Sequence, residues 1–404
     1  MALEIRPLRQ DEMKQFEENI RIGFSAPARP REEPKRPQEI LPEWTLCAFE
    51  NGELATTYAA FPFTMYLNGK TAAAAGVTAV TTLPWHRRRG HLRRIMAYDF
   101  ERMHDEGGPA LAVLYASMAA IYQRFGYSIV STHLRYTVEP QYIAFTTPRP
   151  LSGRMVGFSR DDYSRIKPVY DAVAADRTGF IERTDHDWQH LTFGYDREHP
   201  LTVAYEEDGA AQGYLVYWPE MKERQAFQLG GTVTAYVGEF VWRTPDAYQA
   251  LWDYLRRIDL ARQIICFRMP IDDPAKDLLL EPRMLHAIEI DGILARIVDV
   301  DRALSQRGYQ AEGRIVFEVQ DEMAPWNAGR WEMEVTAGAA CVRRTERAPE
   351  MNMPVGTLVS LLFGHFSASQ AARMGRLDAL EPAALAVWDS LLRTMRPPAC
   401  GNGF

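Results

Sequence analysis

The chain has 404 residues, 47% of them hydrophobic and 25% charged, with a formal net charge of -7. That length exceeds one ordinary hydrophobic core and implies two or three domains, and the apolar fraction excludes a disordered chain. The acidic balance excludes a general nucleic-acid or membrane-surface binder, so any basic cluster serves a local anion.

The start, MALEIRPLRQDEMKQF, has no basic end followed by an apolar run, and no later segment has the uncharged apolar length of a membrane span. A cytoplasmic protein is expected. Cys47, Cys266, Cys341 and Cys400 are dispersed without metal-site pairing and are expected as buried free thiols, with no metal.

Residues 3–6 read as an edge strand, and Met13, Phe16, Ile20 and Phe24 recur at helical spacing. The next stretch, APARPREEPKRPQEILP, carries prolines that deny regular structure and predict an extended surface segment, a lid or a plain loop. Residues 44–83 alternate β-rich runs with Asn51-Gly52 and Asn68-Gly69, dipeptides that accept the positive φ of tight hairpins. An antiparallel meander is expected, its last strand at 77–83 running into a cationic loop at 84–89. The helix behind that loop buries Leu92, Ile95, Met96, Phe100 and Met103 and stops at Gly107-Gly108. A second buried strand at 110–116 follows, then a short helix over 118–125 closed by Gly126.

A similar strand-to-helix step recurs at VTAYVGEFVWRTPDAYQALWDYLRRIDL, with Thr244 as N-cap and Pro245 at the first helical position. From about Ile293, β-type runs at 314–319 and 330–336 precede helical patterns at 354–363, 367–374 and 382–395. The fold class is α/β in the broad sense (α+β), with a core that reads as duplicated.

The cationic stretch TLPWHRRRGHLRR holds five arginines and two histidines around one glycine. Its second half opens a helix, where unsatisfied N–H groups and the helix dipole favour an anion. Gly90 lets phosphate oxygens reach the backbone, and flanking arginines supply charge-assisted hydrogen bonds. A pyrophosphate fits, although an arginine-rich turn alone is more often a solvated surface.

The loop and the segment SMAAIYQRFGY (117–127) together resemble the GNAT N-acetyltransferases. Their pyrophosphate loop reads Arg/Gln-x-x-Gly-x-Gly/Ala between a splayed strand and a helix. Arg87 and Gly90 match, and Leu92 stands where Gly or Ala is usual. The resemblance implies acetyl-CoA as co-substrate, with Arg88, Arg89, Gly90, His91, Leu92 and Arg93 holding the pyrophosphate largely through backbone N–H groups. It implies that Val80, Thr81 and Thr82 bond the pantetheine as a neighbouring strand does, and that Ser117 and Met118 border the cofactor. It also places the Tyr122 phenol near the thioester sulfur, where it donates a proton or a hydrogen bond to the departing thiolate. Tyr127 reads as core.

Over its whole length the chain is similar to the Eis family, through HRRRG, IYQRFGY, IDGILARIVDVDRAL and a terminal aromatic residue. That likeness implies an N-terminal GNAT domain at 1–150, a second GNAT-like domain at 151–292 and a sterol-carrier-protein-like α+β domain at 293–404. The sheets are expected mixed and mostly antiparallel with splayed strands. It places the catalytic base on the terminal α-carboxylate of Phe404. An α-carboxyl of pKa about 3.5 is a feeble base toward an alkylammonium near about 10, so it must be desolvated, work through water, or mainly orient the amine. Asp291 is expected to bind substrate, and Gly403 stands where the best-known members carry a carboxylate. In the second domain Asp246 already occupies the helix N-terminus, so no CoA is expected there. The acceptor is expected to be an aminoglycoside, a polyamine or a lysine side chain, and the assembly a hexamer with neither nucleic acid nor membrane as partner. The alternative is a lipid- or partner-binding protein with a vestigial acetyltransferase fold.

Overall fold

Asn51 and Gly52 take φ of 53° and 86°, and Asn68 and Gly69 take 50° and 89°. These paired positive values match the twist of the strands they join. The computed structural model describes residues 3–26, 40–192, 200–221 and 233–404; most of the proline-rich stretch, at 27–39, lies outside them. In chain order the strands are β1 (Leu3–Arg6), β2 (Cys47–Glu50), β3 (Glu53–Leu67), β4 (Lys70–Thr82), β5 (Leu111–Leu114), β6 (Ser128–Ile129) and β7 (Thr132–Val138). There follow β8 (Arg154–Gly157), β9 (Leu201–Glu207), β10 (Ala210–Met221), β11 (Val233–Trp242), β12 (Ala261–Pro270), β13 (Ile288–Asp291) and β14 (Leu294–Ile297). The last are β15 (Gly313–Gln320), β16 (Gly329–Thr336), β17 (Ala339–Arg344), β18 (Met351–Pro354) and β19 (Asp378–Ala379).

They form three mixed sheets, in the orders β1-β2-β3-β4-β5-β14-β6, β13-β7-β12-β11-β10-β9-β8 and β17-β16-β15-β18-β19. The first two repeat one plan: antiparallel hairpins, one parallel pair (β4 with β5, β11 with β12), and a helix between the members of that pair. The sheets do not follow cuts at 150 and 292. Strand β7 belongs to the second sheet, and β14 enters the first between β5 and β6. All residues of β14 are buried, as a strand inserted into a sheet interior must be. Its Arg296 is fully buried and forks onto Asp321 at 2.6 and 2.7 Å, tying the first sheet to the third unit.

The helix Val355–Phe363 is buried from Thr357 to Phe363 and shares one hydrophobic core with β3, β4, β5 and β14. The third unit is therefore built onto the first, whereas the second sheet closes a core of its own around Trp252 and Leu251. The helix Met13–Gly23 buries Phe16 and Ile20, but Phe24, expected on the same face, lies past its end and is exposed. Cys47, Cys266 and Cys400 are buried free thiols; Cys341, on edge strand β17, is exposed instead. Among the described residues no helix is long and apolar enough to cross a membrane.

Candidate active site

Strands β4 and β5 pair in parallel only from Ala74 with Leu111 to Gly76 with Val113. Beyond Gly76, β4 runs on to Thr82 while β5 ends at Leu114, so the strands part and the edge of β4 loses its ladder on that side. A bulge sharpens the departure. The β3–β4 register slips between Thr57 and Ala59, Ala79 takes φ of 53°, and the Thr57 hydroxyl donates to the Ala79 carbonyl at 2.7 Å. Bulges re-aim strand ends in this way. Val80, Thr81 and Thr82 follow directly. The Thr81 side chain is buried against Gly23, where a Cβ would stand 1.7 Å from its hydroxyl oxygen.

The loop after β4 holds Arg88 at φ 64° and Gly90 at φ 81°. Gly90 caps the helix His91–Asp105 without any side-chain cap or acidic residue in its first turn, and the Arg94 N–H is the first to reach back, to the Gly90 carbonyl at 3.2 Å. The N–H groups of His91, Leu92 and Arg93 are left for another acceptor. A Cβ on Gly90 would meet nothing within 4 Å, so glycine is favoured there by its positive φ rather than by space, and it leaves the approach open. Two exposed arginines, Arg87 of the motif and Arg89 of the expected pyrophosphate holders, brace the loop with their side chains. Arg87 donates to the carbonyls of Thr82 and Gly23, both at 3.1 Å. Arg89 donates to Glu50 at 2.6 Å and to the Trp85 carbonyl at 2.9 Å. Glu50, 5% exposed, also binds His86 at 2.5 Å, and that hydrogen bond holds its carboxyl below the ordinary carboxylate range. Arg88 and Arg93 are exposed as well, and their side chains make no hydrogen bond or ion pair among the described residues. His91 is buried, which lowers its pKa and favours the neutral ring.

Past β5, exposed Ser117 and Met118 lead into the helix Ala119–Gln123. Tyr122 on that helix is 7% exposed, and burial pushes its hydroxyl up to about 12. Its ring meets Tyr127 edge-on at 5.9 Å. Tyr127 is core, as its position implied, with a buried hydroxyl that has no partner among the described residues.

The C-terminal tail is docked rather than frayed. Met395 N–H donates to Asn68 Oδ1 at 2.9 Å, the Arg177 guanidinium donates to the Pro397 carbonyl at 3.0 Å, and Ala399 N–H donates to the Thr178 carbonyl at 3.0 Å. Asn402, 2% exposed, is oriented to accept from Arg183 at 2.9 and 3.1 Å and donate to the Tyr170 hydroxyl at 2.9 Å. The Tyr115 hydroxyl donates to the Cys400 carbonyl at 3.2 Å. Phe404 then packs on Phe63 at 4.9 Å and on Tyr115 at 5.3 Å between ring centroids. Phe63 lies over Gly76, where a Cβ would come within 2.2 Å of its ring. The last residue of the chain therefore sits at the point from which β4 and β5 diverge. Asp291 is exposed at the end of β13, paired in register with Thr132 and close enough to act on the charge of His133. No hydrogen bond or ion pair joins it to the cleft among the described residues.

In the second repeat the corresponding helix start is plugged. The Thr244 hydroxyl accepts from Ala247 N–H at 3.1 Å, Pro245 offers no N–H, and Asp246 is paired with Arg149 at 2.5 Å. Sequence reasoning missed the tail's clamps, Tyr115, Tyr170 and Arg183, and the brace Glu50. Nothing local marks them, because each works through a partner distant in the chain. The Ala79 bulge has no signal at all, since alanine is a poor left-handed residue.

Two splayed αβ repeats, one with an open, uncapped helix start behind its splayed strand, are the architecture of the GNAT class of transferases. Residues 4–130 and 179–297 each match an acetyltransferase (GNAT) domain, and residues 300–401 a sterol carrier protein domain. An uncharacterized N-acetyltransferase of Streptomyces avermitilis is 29% identical over 100% of both chains. The N-acetyltransferase Eis of Mycobacterium tuberculosis is 32% identical over 75% of this chain and 74% of its own. The crystal structure of Eis1 from Mycobacterium abscessus superposes with a TM-score of 0.82 over 100% of both chains at 27% identity. The chain belongs to the Eis family of GNAT N-acetyltransferases and is an acyltransferase, a fold that implies acetyl-CoA as its co-substrate.

Proposed function

We propose that the enzyme moves the acetyl group of acetyl-CoA directly to a primary amine in a ternary complex, with no covalent enzyme intermediate. The observation that carries this reading is the convergence at one cleft of an uncapped helix start, an unpaired strand edge and the docked terminal residue. In this reading the backbone N–H groups from Arg88 to Arg93, through Gly90, His91 and Leu92, take the pyrophosphate; Arg88 and Arg93 add charge from outside, while Arg89 holds the loop's shape. The edge from Val80 to Thr82 bonds the pantetheine amides, and Ser117 and Met118 border the arm.

The amine lone pair attacks the thioester carbon, the new N–C bond forms, and the C–S bond breaks with its electrons on sulfur. A buried phenol near about 12 stays protonated at neutral pH, whereas a free thiol titrates near about 8.5. Tyr122 therefore acts as a hydrogen-bond donor that stabilises the thiolate, and the thiolate takes its proton from the solvent pool, which at neutral pH lies below the thiol's pKa and receives the proton the amine gives up. The Phe404 carboxylate orients the amine and passes its proton on to solvent, and Asp291 attracts the incoming ammonium. Aminoglycosides, polyamines and lysine side chains all present the required nitrogen. The same family likeness supports a homo-hexamer, which native mass measurement tests. The reading itself is tested by thiol release across an amine panel: turnover that falls at least about a hundredfold in Tyr122→Phe with acetyl-CoA affinity retained supports it. No thiol release with any amine overturns it.

A further inference from the structure

The second repeat keeps its splay although its loop is closed to phosphate. Strands β11 and β12 pair from Val233 with Ala261 to Val237 with Cys266 and then part. Between them lies a cavity of about 250 Å³, walled by the helix Lys167–Ala175 and by Gly401 of the tail. Its charge is not that of a pocket for a polycation. Five arginines line it, Arg177, Arg183, Arg243, Arg268 and Arg396, against the carboxylates of Asp176 and Glu239. Arg183 is bound to Glu239, and Arg177 to Asp272 at 2.8 and 3.2 Å, so those charges are matched. Arg243 and Arg396 are exposed and have no carboxylate within ion-pair distance among the described residues. Arg177, 3% exposed, also keeps a buried Nε–H without a partner among the described residues.

This cavity adjoins the acetyl-transfer cleft. The Arg268 guanidinium stands 5.7 Å from the Tyr115 ring centroid, and Tyr115 carries the Phe404 ring on its other contact at 5.3 Å. Gly401 lines the cavity while Phe404 lies in the cleft, a separation of at most about 10 Å of extended chain.

We propose that the acceptor is an amine that also carries an anion, a carboxylate or phosphate, which Arg243 and Arg396 hold while the nitrogen reaches the thioester beside Phe404. This rests on the acetyl-transfer reading and narrows it: polycations are poor acceptors for this chain. Asp291 does not line the cavity and serves the ammonium end.

The test compares 6-aminohexanoate, 6-aminohexanamide and 1,6-diaminohexane, which differ at the end remote from the reacting amine. The expected result is a kcat/KM for the acid about tenfold above the amide, the size of one charge-assisted hydrogen bond, and higher still above the diamine. The advantage should vanish in Arg243→Gln/Arg396→Gln with the acetyl-CoA Kd unchanged. Equal rates for acid and amide, or a faster diamine, overturn the proposal. Calorimetric titration of 6-aminohexanoate into the CoA complex gives a second readout: binding that the double variant loses supports the site even if no amine turns over, in which case acetyl transfer fails instead. No heat up to millimolar acid overturns the site whatever the turnover.

Discussion

Extending the chain by Gly-Gly beyond Phe404 separates the two things the last residue offers. The ring still docks on Phe63 and Tyr115, but the carboxylate moves by up to about 7 Å, two residues of extended chain. Misplacement on the scale of about 1 Å can already cost about a hundredfold where a reactant must be oriented, so kcat should fall by at least that factor. Phe404→Ala makes the opposite change. It keeps a terminal carboxylate and loses two aromatic contacts, each about 0.5–1.5 kcal/mol, so docking weakens by about 1–3 kcal/mol and kcat should fall between about five- and a hundredfold. Neither change touches the anchors at Ala399, Cys400 and Asn402, so melting temperatures should stay within a few degrees of wild type. Thiol release at saturating acetyl-CoA measures kcat, and calorimetry checks that cofactor affinity is retained. An extended chain that works at the wild-type rate refutes the role given to the terminal carboxylate.

Tyr122→Phe should leave an unchanged acid limb in the pH–rate profile, and the wild type should show no loss from this group until about pH 11, because burial holds the phenol near about 12 and its active form is the protonated one. A wild-type alkaline limb near neutrality that the Tyr122→Phe substitution abolishes would contradict this. Glu50→Gln should raise the KM for acetyl-CoA by releasing Arg89 and His86 from their shared carboxylate. Its stability deficit has a defined sign: the folded-state pKa of Glu50 lies below 4.5, so the carboxylate's contribution is fully present above that value and is lost as pH falls through the depressed one. Melting temperatures of variant and wild type should therefore converge in acid, and a constant gap from pH 7 to pH 3 would count against the brace. Calorimetry should find one acetyl-CoA per chain, since Thr244, Pro245 and Asp246 close the second helix start; a stoichiometry of two would reverse that conclusion.

The hairpins at Asn51-Gly52 and Asn68-Gly69 and the helices behind Gly90 and Thr244 were legible because each is dictated by local chemistry: positive φ, a capping hydroxyl, apolar residues at helical spacing. The uncapped helix start at Gly90 was legible for the same reason, but the partners of the loop's arginine side chains were not. Whether Arg89 faces solvent or Glu50 depends on a strand that ends thirty-nine residues earlier. The exchange of β7 and β14 between sheets was hidden, because a four-residue apolar run such as Leu294–Ile297 fits any buried slot and its neighbours are chosen by tertiary packing. The tail was the least legible part. Nothing in its own residues names the partners that fix it: Asn68, Tyr115, Tyr170, Arg177, Thr178 and Arg183 all lie more than two hundred residues earlier in the chain.

The central claim is that a diphosphate is held by bare backbone N–H groups at Gly90. Calorimetric titration of acetyl-CoA into Gly90→Asn and Gly90→Asp tests it directly, because both residues tolerate the positive φ of 81°, neither Cβ meets a neighbour, and the two differ in charge alone. Binding within about threefold of wild type in the Asn variant and at least about tenfold weaker in the Asp variant is the predicted result. Equal affinity in the two would mean that the phosphates lie elsewhere.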